Sequence, residues 1–318
     1  MRRRELLSGS FALLLLARGR AVAEPSRTWR VAYVGSGSAV RSVPVLRDAL
    51  RGLGYVDGKN LILEVREAKG NYSTLPDLMR EAVSSKPDVI IAEATPAIAA
   101  AQKATSTIPI VMSPATDPIG SGFIKSFARP GGNITGVANM FGDLTAKTLD
   151  FLHLVLPNAK KIGVLTSNNP THPPLFEVAK RGAEAIGISA ERFVADTPND
   201  LEAAFKAMKF AKCEAVYVLA DPPRPAIPEL SLKFVLPAIY QVDAYIQMGG
   251  LMSYGPDILA MFVKAAYYVD RIIKGANPSE MPVEQPATFR FMINLRTAKA
   301  LGLTVPELVL LQADSVVE

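Results

Sequence analysis

From residue 30 onward the chain alternates two hydrophobic periods so regularly that few folds remain open to it. RVAYVG reads as a strand ending in the glycine-rich turn Gly35-Ser36-Gly37-Ser38. Pro44, suited to a first helical turn, opens VLRDALRGLG, which closes on Gly54. LILEVREA is a second strand, LPDLMREAVSS a helix and DVIIAEA a strand. TPAIAAAQKAT is a helix with Thr95 and Pro96 as its N-cap and N1 pair, and IPIVM, with Ile108, Ile110, Val111 and Met112, is the next strand. A βαβαβαβ succession predicts a parallel sheet with helices on both faces.

After a connecting segment, FIKSFARPGGNITGVANMFG, the alternation restarts. AKTLDFLHLVL, KIGVLTS, PPLFEVAKRGAEAIG, ISAERFVA, DLEAAFKAMKFA and EAVYVLA read as helix, strand, helix, strand, helix, strand, the last ending at Asp221. The remainder holds LPAIYQ, LMSYG, the long helix PDILAMFVKAAYYVDRIIKG, an extended segment at 288–293 and the helix LRTAKALGL. That is too little for a third domain, so it is expected to be shared between the two lobes. The fold expected is α/β, two doubly wound Rossmann-like lobes joined by a three-crossover hinge. Residues 28–138 plus 254–285 would form lobe 1 and residues 139–253 plus 286–318 lobe 2, with the long helix, Tyr267 and Tyr268 included, packing on the first.

The first 23 of the 318 residues are a different kind of segment. Arg2, Arg3 and Arg4 form a positive start, an apolar run covers 6–17, and Ala21-Val22-Ala23 fits a small-x-small cleavage site. This predicts a cleavable export signal, and the Arg3-Arg4 pair resembles a twin-arginine signal, with general secretory export as the other route. The apolar run is too short and too interrupted to span a bilayer. Removing the segment's five Arg and one Glu from 35 basic and 30 acidic residues leaves 30 and 29. The mature chain is near neutral, and no basic cluster suggests nucleic-acid binding. The single cysteine, Cys213, excludes an internal disulfide and a cysteine metal site. His153 lies in a helical run and is expected to pack or face solvent; with His172 it completes the histidines.

In open parallel sheets ligands collect at the carboxyl ends of strands. IPIVMSPATDPIGSGF therefore places Ser113, Thr116 and Asp117 at a crevice, at what reads as the last strand-to-loop step before the first crossover. The plain alternative is a polar turn with Asp117 as its cap.

Taken in order, RDALRGLGYVDGKN, TPA, ATSTIPIVM, TDPIGSG, ARPGGNITG, LPAIY, GGLMSYGPD, PVEQP and INLRTAKALGL resemble the substrate-binding component of ABC-type importers related to the tryptophan and tyrosine transport systems. The resemblance covers nearly the whole mature chain. It implies a type I periplasmic binding fold, a periplasmic location, an ABC permease as partner, a monomer, no cofactor, no metal and no catalytic residue. It implies ligand contacts from Gly35, Ser36, Gly37, Thr95, Pro96, Ser113, Thr116 and Asp117 in the first lobe. Asn168, Asn169, Pro170 and Asp221 would serve in the second, with Tyr240 and Tyr254 near the hinge. An amino acid suits this set, since hydroxyls and helix-start N–H groups hold a carboxylate and Asp117 or Asp221 pairs with the ammonium.

One region departs from that family. DPPRPAIPELSLKFV carries four prolines, and Pro223, Pro225 and Pro228 are expected to forbid a helix until about Glu229. The loop from Asn168 to Pro174 is also proline-rich. The leading alternative function is a nucleotide-dependent α/β enzyme using the Gly35-Ser36-Gly37 turn, but its third glycine position holds Val40. A ligand-responsive regulator would need an N-terminal DNA-binding helix pair where this chain has an export signal. No G-x-S-x-G or H-E-x-x-H motif is present. The sequon Asn133-Ile134-Thr135 sits in a GGNITG turn whose bend explains it better.

Overall fold

The central strands are buried on both faces between two helical layers, which is why they read as continuous apolar runs, whereas edge strands such as β2 and β7 alternate buried and exposed residues. The computed structural model describes residues 27–318, so the expected export signal lies outside the described residues. The first unit runs β1 (Trp29–Gly35), α1 (Ser42–Gly52), β2 (Leu61–Glu67), α2 (Leu75–Ser84), β3 (Val89–Glu93), α3 (Ala94–Ala104), β4 (Ile110–Ala115) and β5 (Ile134–Ala138). Its sheet is parallel, in the order β2-β1-β3-β4-β5. Val31 and Tyr33 of β1 pack toward α1, while Ala32 and Val34 pack toward α2 and α3.

The second unit runs α4 (Phe141–Val155), β6 (Lys161–Thr166), α5 (His172–Ala185), β7 (Ser189–Val194), α6 (Leu201–Phe210), β8 (Ala215–Val218), α7 (Ala226–Lys233), β9 (Ala238–Tyr240), α8 (Ala244–Gln247) and β10 (Met252–Pro256). Then α9 (Ile258–Ile273) returns to the first unit, and β11 (Phe289–Asn294), α10 (Leu295–Ala300), α11 (Glu307–Leu310) and β12 (Ser315–Val317) complete the second. The second sheet has the order β12-β11-β10-β9-β8-β6-β7, antiparallel only between β10 and β11. On α9, Met261, Phe262, Ala265, Tyr268 and Val269 fill the same core as Leu46 and Leu50 of α1, while Tyr267 faces solvent. The chain crosses between units before α4, at Asp257 and before β11. Asp257 accepts the Ala260 N–H and so caps α9.

Four expectations need correction. β4 is not the last strand of the first lobe; the connecting segment supplies β5, so the crossover leaves from Ala138 and Asn139. The boundary expected at 254 falls inside β10, whose residues Met252–Pro256 pair with β11. α3 begins at Ala94, one residue before the expected cap, because Thr95 spends its hydroxyl on the Thr116 N–H at 3.3 Å. α7 begins at Ala226, ahead of Glu229, since Pro225 and Pro228 fall at its N-cap and in its first turn, where a missing N–H costs nothing. At the sequon, Asn133 Nδ2 donates to the Thr105 and Ile108 carbonyls, a structural role. Cys213 is a buried free thiol.

Candidate functional site

The carboxyl ends of β3, β4 and β5 face those of β6, β8 and β9 across a closed cleft. Between them lies a cavity of ≈ 70 Å³. Glu93, Thr95, Pro114, Thr116, Asn139 and Ile258 line it from one side and hinge, and Phe141, Asn169, Ala220, Asp221, Pro222, Pro223 and Val242 from the other. An adjoining space of ≈ 360 Å³ shares Thr116, Asn139 and Phe141 and extends past Asp117 to Thr171, Pro174 and Leu175.

On the first lobe the polar groups hold one another in place. Asn139 Nδ2 donates to Thr116 Oγ1 at 2.8 Å, and the Phe141 N–H donates to Asn139 Oδ1 at 3.3 Å. Ser36 Oγ donates to the Glu93 carbonyl and accepts the Ala97 N–H. Ala94, at the cavity wall, holds φ +64°, a left-handed conformation that costs a residue with a Cβ about 1–2 kcal/mol. Glu93 places its carboxylate over Gly35, where a Cβ would meet Oε2 at 2.8 Å. That Oε2 is sealed from solvent without a hydrogen-bond partner. Burial pushes the Glu93 carboxyl up to about 7; the Tyr33 hydroxyl and Gly37 N–H oppose the rise, and the Glu67 charge adds to it.

On the second lobe Asp221 has one carboxylate oxygen engaged and a cation near the other. Its Oδ1 accepts the Tyr72 hydroxyl from the first lobe at 2.6 Å and Asn169 Nδ2 at 3.2 Å, and Arg224 stands 3.7 Å from Oδ2. Asn169 Oδ1 accepts from the Thr171 N–H and hydroxyl. His172 accepts the Ser167 N–H at Nδ1, 2.7 Å, which leaves the proton on Nε2 to donate to the Ala220 carbonyl at 3.1 Å. Burial lowers its pKa, so this imidazole is neutral although Asp221 lies nearby.

Of the residues expected in the site, Thr95, Thr116, Asn169 and Asp221 converge on the cavity. Gly35 and Ser36 support Glu93 from behind. Gly37 is where the lobes touch, since a Cβ there would lie 2.2 Å from Pro222 Cβ. Pro96 is buried in α3 and Ser113 in β4, the latter with its hydroxyl unpartnered. Besides Pro96 and Ser113, four expected residues stay out of this cavity, although Asp117 borders the adjoining space. Asp117, at φ +42°, is exposed and accepts the Gly120 N–H at 2.9 Å, a local turn cap. Asn168 is exposed, because successive residues after β6 point opposite ways and Asn169 takes the inward one. Tyr240 stacks on Tyr245 at 4.4 Å inside the second core, and Tyr254 packs edge-on to Phe151 at 5.1 Å. Residues not anticipated include Glu93, Tyr72, Asn139, Phe141 and Val242. The Gly35-Ser36-Gly37 turn is poorly suited to phosphate: Ser36 is committed, Pro222 covers Gly37, and the Glu93 carboxylate would repel an anion.

Two α/β lobes closing strand ends over an interlobe cavity define a two-lobed binding fold, and chains of known structure share it. A conserved domain protein from Vibrio cholerae O1 biovar El Tor is 30% identical, with a TM-score of 0.86, covering 91% of this chain and 100% of its own. An ABC domain in complex with L-Trp from Streptococcus pneumonia is 26% identical, with a TM-score of 0.83 over 91% of this chain and 100% of its own. A tyrosine-binding protein of Clostridioides difficile (strain R20291) is 28% identical over 267 residues, 80% of this chain and 74% of that one. The fold is that of type I periplasmic binding proteins. The family model for ABC transporter substrate binding protein matches residues 31–317, and the chain belongs to that family.

Proposed function

We propose that this protein is the exported solute-binding component of an ABC importer, capturing an amino acid or a related aromatic or branched compound and delivering it to a membrane permease. One observation carries this reading: the interlobe cavity takes polar groups from both lobes and apolar walls from Pro114, Phe141, Val242 and Ile258, as a small amphipathic solute requires. Contacts made to both lobes at once favour the closed state, so binding and closure are one equilibrium. The tryptophan complex and the tyrosine-binding relative support the ligand class. Binding without catalysis is supported by the commitment of His172 at both ring nitrogens. No helix among the described residues is long and apolar enough to cross a membrane, in keeping with a mature domain released by cleavage after Ala23. The two lobes, divided at the three crossings, move as the bodies of the hinge, and the protein acts as a monomer.

Isothermal titration and thermal melting against a panel of amino acids and aromatic and branched acids test this. At least one compound is expected to bind in the micromolar range and raise the melting temperature; silence across the panel overturns the ligand class.

A further inference from the structure

The cavity carries two carboxylates and no Lys, Arg or His among its lining residues. Such a site has an unbalanced charge, and the two acids differ in what they still lack. Asp221 is supplied by Tyr72 and Asn169, with Arg224 as its nearby cation. Among the described residues Glu93 has no cation within salt-bridge distance, and from behind its carboxylate meets only neutral groups, the Tyr33 hydroxyl and the Gly37 N–H. A carboxylate at a cavity wall with neutral partners alone is costly to ionise unless a ligand brings the cation.

We infer that Glu93 is the cation receptor of this cleft, and that the solute it takes is a protonated amine with an apolar body, its carboxylate dispensable. This rests on the solute-binding reading above and deepens it. The amine nitrogen donates to the Glu93 carboxylate from the cavity side, and the apolar body lies against Phe141, Val242 and Ile258. A ligand carboxylate finds only neutral donors, such as the Thr95 and Thr116 hydroxyls and Asn139, so it contributes less than the amine.

The groups facing Glu93 are Tyr33 on β1, the Gly37 N–H in the turn after β1, Glu67 at the end of β2 and Asp221 across the cavity. None is cationic. With its carboxyl raised to about 7, Glu93 must release a proton to receive a cation, so amine affinity rises with pH through neutrality and levels off above it.

The test uses two matched pairs on the full mature chain by isothermal titration: tyramine with 3-(4-hydroxyphenyl)propanoate, and isopentylamine with 4-methylpentanoate. At least one amine is expected to bind at least tenfold tighter than its matched acid. That amine should bind about tenfold tighter at pH 8 than at pH 6, the span over which a group titrating near neutrality changes its charge. Glu93→Gln should weaken the amine at least tenfold without weakening the acid. Equal affinity of amine and acid, or an unchanged amine affinity in the variant, overturns the inference and leaves the solute-binding reading standing if either compound binds. Failure of all four probes on the wild type overturns the inference, whereas the solute-binding reading falls only if the amino-acid panel is silent too. Should circular dichroism show Glu93→Gln unfolded, the wild-type pairs and the pH profile decide alone.

Discussion

Tyr72 of the first lobe donates its hydroxyl to Asp221 of the second across 2.6 Å, tying the lobes together directly beside the cavity. The side chain is partly buried, and the pKa of its phenol is raised well above the usual range by desolvation and by the Asp221 charge. It therefore remains a donor at every physiological pH.

Tyr72→Phe removes this bond and leaves the ring in place. A hydrogen bond to a charged group is worth about 1.5–3 kcal/mol, and here it exists only when the lobes meet. The ligand-free variant should be more open by small-angle scattering, with affinity reduced about tenfold or more. Its melting temperature should change little, because neither core loses a contact. An unchanged scattering profile would show that the bond does not bias closure.

Gly37→Ala acts on the same equilibrium by sterics. The new Cβ would lie 2.2 Å from Pro222 Cβ, closer than any real contact. The lobes must part or the proline loop must shift, so ligand affinity should fall by at least an order of magnitude, while far-ultraviolet circular dichroism matches the wild type.

Stability should depend on pH with opposite signs from two buried groups. Glu93 titrates at about 7 folded and 4.5 unfolded. Its neutral form is favoured by the fold below the unfolded value, and that contribution is lost as pH rises through 7. His172 is held below its unfolded value of 6.5, so stability is lost as pH falls below 6.5, where only the unfolded chain takes up the proton. Glu93→Gln should remove the first slope: between pH 5 and pH 8 the variant should gain on the wild type by on the order of 2 kcal/mol in urea unfolding. Parallel profiles would mean that Glu93 titrates normally.

Tyr240→Phe should leave ligand binding unchanged, because the ring stacks on Tyr245 in the core, away from the cavity. Its buried hydroxyl has no partner, so deleting it should be neutral or stabilising by up to about 1 kcal/mol in thermal unfolding. A large affinity loss would return Tyr240 to the site.

The strand–helix alternation and the proline, glycine and apolar spacing made the two lobes legible from the sequence, because buried parallel strands and amphipathic helices have distinct periods. The identity of the inward-facing groups was less legible. Asn168 and Asn169 are adjacent and alike, and only the twist of the chain after β6 separates them. Tyr240 and Tyr254 sit in strands covered on both faces, where alternation does not tell core from cleft. Glu93 is one letter at the end of DVIIAEA, and its importance depends on Gly35, 58 positions earlier, leaving room for its carboxylate. Asn139 was hidden because β5 is only five residues long and lies in a segment that reads as a connection.

The placement of α9 has a consequence for how the molecule comes into being. Met261, Phe262, Ala265, Tyr268 and Val269 complete a core whose other side chains include Val31, Leu46 and Leu50. A nascent chain ending before Asp257 would hold all five strands of the first sheet with one face covered only in part, by α1. The lobe begun first during synthesis thus cannot finish first, and the two halves must mature together after most of the second sheet has been made.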